Sequence, residues 1–296
     1  MINITNYKTK EIKLDILKVS DWFKDILESC VNNFFSNKNL FTKENISIYS
    51  FDDLSLKTNV TKNIITTFYV EINQPANYKV KDSKFKFHFF KNDDILPDLY
   101  LTLHEIKKGI FNSLINNLTE EFVLYEKKQS IFIDFNREVS DNVIQTYYFE
   151  VIPCITFVNR NNVNGVMYYT DNFKEITIDY PKISMENFAL KNTRTNNKLL
   201  ETVIIFKNIL LKEHKYEEIP FEFVETLCFN VPDELFMGTF NSAIFKIVNY
   251  MRNIGLLNIK TIDGQDCLFT SKYKSFSLLY AKKILKNISD FVSKNK

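Results

Sequence analysis

The sequence predicts an α+β protein made of a mixed α/β N-terminal lobe, residues 1–183, and an all-helical C-terminal lobe, residues 184–296. Three observations predict it. Hydrophobic residues make up 45% and aromatics 15% of the 296 residues, with 28 Phe and 15 Tyr, which is enough for a sizeable core and excludes a disordered chain. Runs rich in β-branched and aromatic residues crowd the first part of the chain between polar turn formers. From Ser184 onward the apolar period becomes helical. No repeat or low-complexity linker intervenes, so the lobes are expected to share a firm interface.

Along the chain, Ser20 is placed as the N-cap of a first helix in which Trp22, Phe23, Ile26, Leu27, Cys30, Val31 and Phe34 recur at helical spacing. Residues 46–50 and 64–72 read as strands. The run KFKFHFF, residues 84–90, alternates Lys with Phe and reads as a strand with one wet face; stacking on nucleic acid is the competing reading. Leu99, Leu103, Ile106, Ile110, Leu114 and Leu118 give a second amphipathic helix over 96–118, after Pro97. Residues 130–135 and 146–157 form the next strands, with REVSDN between them as a hairpin turn, and shorter strands follow at 167–169 and 175–178. Leu199, Leu200, Val203, Ile204, Phe206, Lys207, Leu210 and Leu211 define a long helix. Further helices are expected at 220–227, at 240–252 ending near Gly255, and at 273–292.

The 38 basic and 36 acidic residues nearly cancel, so no overall basic field draws nucleic acid or an anionic membrane, and nucleic acid is disfavoured as a partner. Cys30, Cys154, Cys228 and Cys267 lie far apart without zinc or disulfide spacing and read as buried free thiols. His88, His104 and His214 show no ligand spacing either. There is no signal-like segment and no apolar stretch of membrane-spanning length, so a cytoplasmic protein with no membrane contact is expected. Abundant Lys, Asn, Ile and Phe beside 5 Gly and 1 Trp reads as the coding bias of an AT-rich genome.

Two segments then carry a family resemblance. YYFEVIPCI, residues 147–155, resembles the strand that bears the third catalytic carboxylate in nucleotidyltransferases of the oligoadenylate synthase and cyclic GMP-AMP synthase class, including their bacterial cyclic-oligonucleotide relatives. The carboxylate's place is Glu150. DYPKISMENFALKNTRTNNKLLETVIIFKNI, residues 179–209, is similar to that family's connection into its spine helix, and IPFEFVETLCFNVP, residues 219–232, to the helix that follows. With the order of elements, the resemblance spans roughly residues 20–260 and implies a nucleotidyltransferase-like fold with a nucleotide in the cleft between the lobes. It implies nucleotide contacts at Ser50, Asn192, Thr195 and Lys207, the last at a phosphate-binding position. Magnesium or manganese is implied only for an active enzyme; otherwise no cofactor is expected.

The departures from the family pattern are specific. Family enzymes hold triphosphate with a Gly-Ser turn, where this chain has Tyr49-Ser50, and no glycine precedes Gly109. The strand that bears the family's Asp pair places Ile65 and Thr67 at the metal positions; a shifted register offers Tyr69 and Glu71. Two-metal transfer needs several carboxylates to hold ions ~4 Å apart, which Glu150 alone does not supply. Glu150 reads as a relic ligand or a half-exposed strand residue, and Glu71 as a weaker relic. Asp52 and Asp53 read as turn residues, Lys207 as a solvated lysine unless an anion meets it, and NTRTNNK, residues 192–198, as capping chemistry.

The reading that follows is a nucleotidyltransferase-fold pseudoenzyme acting through nucleotide or protein binding. The alternatives are an active nucleotidyltransferase making oligo- or cyclic nucleotides through an atypical metal site, and an interaction scaffold without a nucleotide.

Overall fold

A computed structural model describes residues 14–37, 46–51, 65–73, 77–81, 84–88, 100–101, 103–127, 129–140, 143–159, 161–170, 175–214, 223–269 and 278–294. Among these, the residues from Leu14 to Phe51 and from Ile65 to Tyr180 form one compact unit, and those from Pro181 onward form the other.

The first unit opens with helix α1, Leu14–Asn37. Ser20 lies inside it and is buried, so it is not the expected N-cap; the helix begins earlier. Phe23, Leu27, Cys30 and Val31 are buried along its apolar stripe. Helix α2, Leu103–Asn117, buries Ile106, Ile110 and Leu114. Its start also differs from the expectation, because the preceding Tyr100–Leu101 forms a short strand, β5. Gly109 lets α1 and α2 approach: a Cβ there would lie 2.0 Å from the Phe34 ring.

The main sheet contains β1, Ile46–Ser50; β2, Ile65–Ile72; β6, Phe122–Glu126; β7, Ile131–Ser140; β8, Val143–Val158; β9, Asn164–Thr170; and β10, Glu175–Asp179. Its order is β1-β2-β8-β7-β6, with β9 joining β8 and β10 joining β9. The 16-residue β8 organises it: β2 runs parallel along one edge, while β7 and then β9 run antiparallel along the other. Residues 137–140 of the expected hairpin turn are strand instead, continuing the ladder through Arg137↔Gln145 and Ser140↔Val143. A separate antiparallel sheet joins β3, Asn77–Lys81, to β4, Lys84–His88, and β4 to β5. The first five residues of KFKFHFF form β4, and the last two lie outside the described residues.

Period-2 alternation gives the main sheet two chemically different faces. One is packed by α1. Phe23 stacks on Phe149 of β8 with ring centroids 4.1 Å apart, and Trp22 lies 5.0 Å from Phe135 of β7. Phe68, Val70, Ile72, Val151 and Ile133 are buried on this side. The opposite face carries the residues at odd positions of β2 and even positions of β8, and with them the candidate site.

The second unit contains α3, Pro181–Arg194; α4, Lys198–His214; α5, Phe223–Phe229; α6, Phe240–Asn253; and α7, Leu278–Lys294. Pro181 stands at the first helical position of α3, where its missing N–H costs nothing. Val203 to Leu210 of α4 are buried throughout, so this helix forms the unit's core. Helix α6 ends two residues before Gly255, as expected, and Gly255 itself has φ −69°. The chain between α5 and α6 is held by Asp233, whose carboxylate meets Lys191 at 2.8 Å and Arg194 at 2.7 Å, while Lys191 also donates to the Val231 carbonyl at 2.6 Å. Partial burial pushes Asp233 upward, but the hydrogen bonds from Lys191 and Arg194 outweigh it and hold the carboxyl below its ordinary value of 3.8.

Cys30, Cys154 and Cys228 are buried free thiols as expected, whereas Cys267 is half-exposed. Among the described residues, no helix is long and apolar enough to cross a membrane.

Candidate functional site

Directly opposed residues on neighbouring strands share a face, so the strand register assembles the site. Thr67 of β2 stands opposite Glu150 of β8, which stands opposite Phe132 of β7, which stands opposite Tyr125 of β6. The next row is Ile65, Tyr148, Asp134 and Val123. Ile65 is 44% exposed, Val123 41% and Tyr125 48%, so this part of the face is open and largely apolar. Glu150 supplies a carboxylate in its centre.

Glu150 is already engaged. Its Oε1 accepts a 2.6 Å hydrogen bond from the hydroxyl of Ser130, a fully buried residue in the β6–β7 connection. The Lys127 amide, bonded to the Ser130 carbonyl at 3.0 Å, closes that connection. The Lys127 ammonium lies 3.3 Å from the centroid of the Phe132 ring. Burial pushes the Glu150 carboxyl above its ordinary value of 4.5, against the smaller lowering effects of Ser130 and Lys127. A carboxyl with its pKa raised by burial, flanked in its own row by Thr67 and Phe132 and with Ile65 and Asp134 in the next row, does not form the shared cage of several carboxylates that two divalent cations need. Among the described residues, no group of three or more His, Cys, Asp or Glu side chains could hold a metal ion.

Farther along the same face lies a second, buried polar cluster. Glu71, the weaker relic candidate, is 4% exposed, and its Oε1 accepts from the Thr156 hydroxyl at 2.9 Å. Tyr69 donates to Asp179 Oδ2 at 3.1 Å, and the backbone N–H of Tyr180 donates to Asp179 Oδ1 at 2.7 Å. The Tyr49 ring stacks on that of Tyr69 at 5.6 Å. Burial first, then the nearby Cys154 and Glu71, pushes the Tyr49 hydroxyl far above its ordinary value. Glu71 is thus a satisfied internal acid, four residues along β2 from Thr67. Ser130, Thr156 and Asp179 were not candidates from sequence. The signal for Asp179 is its place at a strand end just before Tyr180-Pro181; its hydrogen-bond partner Tyr69 lies 110 residues away.

The other candidates separate. Ser50 ends β1 opposite Phe68, and the following Phe51 amide donates to the Thr67 carbonyl at 3.2 Å, so Ser50 and Thr67 lie on neighbouring strands. Asp52 and Asp53 lie outside the described residues. Lys207, Asn192 and Thr195 belong to the helical unit.

Lys207 corrects the expectation of a solvated lysine. It is 1% exposed and ion-paired with Glu225 of α5, itself 0% exposed. Removing two charges from water costs several kcal/mol per ion, so this pair persists only with both partners present. The nearby Cys228 thiol is pushed well up by burial, with Glu225 adding to the effect and Lys191 and Lys207 opposing it.

Asn192 and Thr195 hold the α3–α4 turn. The Leu200 amide donates to Asn192 Oδ1 at 3.0 Å, and the Thr195 hydroxyl donates to the Lys191 carbonyl at 2.9 Å while accepting from the Leu199 amide at 3.3 Å. Asn196 and Asn197 take the left-handed backbone that the turn requires, at φ 51° and 64°. His104 is exposed on α2.

Residues 186–293 match the cGAS/DncV-like nucleotidyltransferase C-terminal helical domain. The chain is similar to a cyclic UMP-AMP synthase of Rhodothermus marinus, 29% identical over 161 residues that cover 50% of this chain and 56% of the relative. It is also similar to the cyclic nucleotide synthase CdnE01 of Staphylococcus haemolyticus, 24% identical over 74% of this chain and 68% of that one. Its backbone resembles the structure of Rhodothermus marinus CdnE c-UMP-AMP synthase with Apcpp and Upnpp, with a TM-score of 0.72 at 19% identity, covering 98% of this chain and 95% of that one. The fold is that of these nucleotidyltransferases, and residues 186–293 carry the match to the cGAS/DncV-like C-terminal helical domain, while the chain spans just over half the length of the Rhodothermus marinus relative.

Proposed function

We propose that this chain is a nucleotidyltransferase-fold protein that holds a nucleotide on the open face around Glu150 without two-metal transfer. The observation that carries this reading is the register: the β2 residues beside Glu150 are Thr67 and, one row on, Ile65. An isoleucine offers a metal no ligand, and a threonine hydroxyl is a poor substitute for a bridging carboxylate. The exposed Tyr125 and Ile65, with Tyr148 and Phe132 between them, instead offer apolar and aromatic surface against which a base can lie.

A second reading is an active synthase of cyclic or oligomeric nucleotides. The names of the relatives, a cyclic UMP-AMP synthase and a cyclic nucleotide synthase, speak for this reading more directly than for the first. It requires further carboxylates to reach Glu150, and Asp52 and Asp53 are the nearest in sequence to β2 on its N-terminal side.

Thermal unfolding with millimolar ATP, GTP, CTP or UTP, each with and without magnesium, tests the proposal. A ligand that binds only the folded state raises the midpoint. The proposal expects a rise for at least one nucleotide that persists without metal and shrinks in Thr67→Trp, which covers the face. No shift for any nucleotide contradicts it and leaves the interaction-scaffold reading. A shift that needs the metal and disappears in Glu150→Gln favours the active synthase.

A further inference from the structure

Helices α6 and α7 pack against each other in the helical unit, and the short 3-10 turn Leu256–Asn258 follows α6. These elements line an open groove of about 730 Å3. Sites that enclose small molecules are typically roughly 300–1,000 Å3. Leu256 and Leu285, each 8% exposed, give the groove an apolar base. Arg252, Lys282 and Lys286 line it as exposed cations, and Asp290 stands against them as a carboxylate.

Ser289 adds an independent observation. It lines the groove, is 2% exposed, and its hydroxyl oxygen is buried with no hydrogen-bond partner among the described residues. A buried hydroxyl left without a partner is destabilising, and such groups in folded proteins call for an explanation. A ligand reaching the base of the groove would supply one. The excess of cations over the carboxylate selects an anion, and the leucines select an apolar body. A groove of this volume, with a hydroxyl at its base, suits a small molecule that enters it.

We propose that the α6–α7 groove is a binding site for a small anionic ligand with an apolar or aromatic body, its anion met by Arg252, Lys282 and Lys286 and a polar atom of the body met by Ser289. The site is distinct from the strand face around Glu150 and belongs wholly to the helical unit.

Titration of the intact chain with 1-anilinonaphthalene-8-sulfonate, followed by calorimetry and fluorescence, tests this with a probe of the required chemistry. Its uncharged analogue N-phenyl-1-naphthylamine isolates the contribution of the anion. Saturable binding of one sulfonate probe per chain is expected, at least tenfold tighter than the uncharged analogue. Binding should weaken at least tenfold in the double variant Lys282→Glu, Lys286→Glu and severalfold in Ser289→Ala. Lys246→Glu, exposed on α6 outside the groove, should leave it unchanged. Ser289→Ala removes an unsatisfied group, so its thermal midpoint without probe should be no lower than that of the parent. Absence of saturable binding, equal affinity for the two probes, or an affinity unchanged in either groove variant overturns the proposal.

Discussion

Thr67 stands directly opposite Glu150 across the parallel pairing of β2 with β8, and Ile65 stands opposite Tyr148 in the neighbouring row. That pairing decides the chemistry available on this face. Carboxylates at these two β2 positions would make a shared cation site geometrically accessible; a β-branched hydroxyl and an isoleucine stand there instead, and Glu150 is held by its hydrogen bond with Ser130.

The state of Glu150 predicts a pH dependence. Because burial raises its pKa above 4.5 in the fold, the folded chain binds a proton there more tightly than the unfolded chain does. The stability contributed by this group is therefore full below pH 4.5 and is lost as pH rises through the elevated folded value. Each unit of displacement corresponds to about 1.4 kcal/mol. Glu150→Gln keeps an acceptor for Ser130 and removes the titration, so urea unfolding from pH 4 to 8 should show the parent losing stability relative to the variant with rising pH. Parallel curves would mean that Glu150 is not perturbed.

The buried pair Lys207–Glu225 predicts an asymmetry between breaking the pair and replacing it. Glu225→Ala strands a buried ammonium and should destabilise the chain by about 3–5 kcal/mol, as expected for the loss of one partner of a buried pair. The double variant Lys207→Met, Glu225→Leu should recover most of that loss in denaturant melts. A double variant as unstable as the single one would show that the charges stabilise beyond their mutual neutralisation.

Much of the fold was legible because local pattern and tertiary environment agree. The strands at 46–50 and 65–72 are dense in Ile, Tyr, Phe and Thr, and the helix at 240–253 follows its apolar stripe. The start of α1 was misplaced because Ser20, a good cap by type, is a buried interior residue. The acidic-polar run REVSDN reads as a turn by composition, yet the ladder with β8 continues through residues 137–140.

At the site, sequence gave Glu150 and the two non-ligating positions on β2, since these depend on spacing within single strands. It could not give Ser130 as the partner of Glu150 or Asp179 as the partner of Tyr69, which only the strand order brings together. Lys207 was half legible: it falls four residues after Val203 and three before Leu210, on the buried stripe of α4, but Glu225 comes from another helix.

Gly165 predicts a steric dependence of the buried polar cluster. A Cβ at this position would lie 2.7 Å from the Asp179 carbonyl oxygen and 2.7 Å from the Tyr180 ring, and backbone cannot yield as a side-chain tip can. Gly165→Ala should therefore push β10 away from β9 and cost about 1–3 kcal/mol, as overpacking does. Gly264→Ala, with open space around the added methyl but φ at +73°, provides a comparison strained only through its backbone. Near-ultraviolet circular dichroism should report the Tyr69 and Tyr180 environments changing in Gly165→Ala alone. An unchanged spectrum and melt would contradict the tight packing of this corner.

The central claim is that the β2–β8 face of this nucleotidyltransferase-fold chain holds nucleotide without transferring it. The most direct measurement is incorporation of α-32P-labelled nucleoside triphosphates, singly and in all pairs, with magnesium and with manganese, comparing the parent chain with Glu150→Gln. The account predicts no phosphodiester product above the level of the variant under any condition. A cyclic or linear oligonucleotide product made by the parent and lost in Glu150→Gln would contradict it.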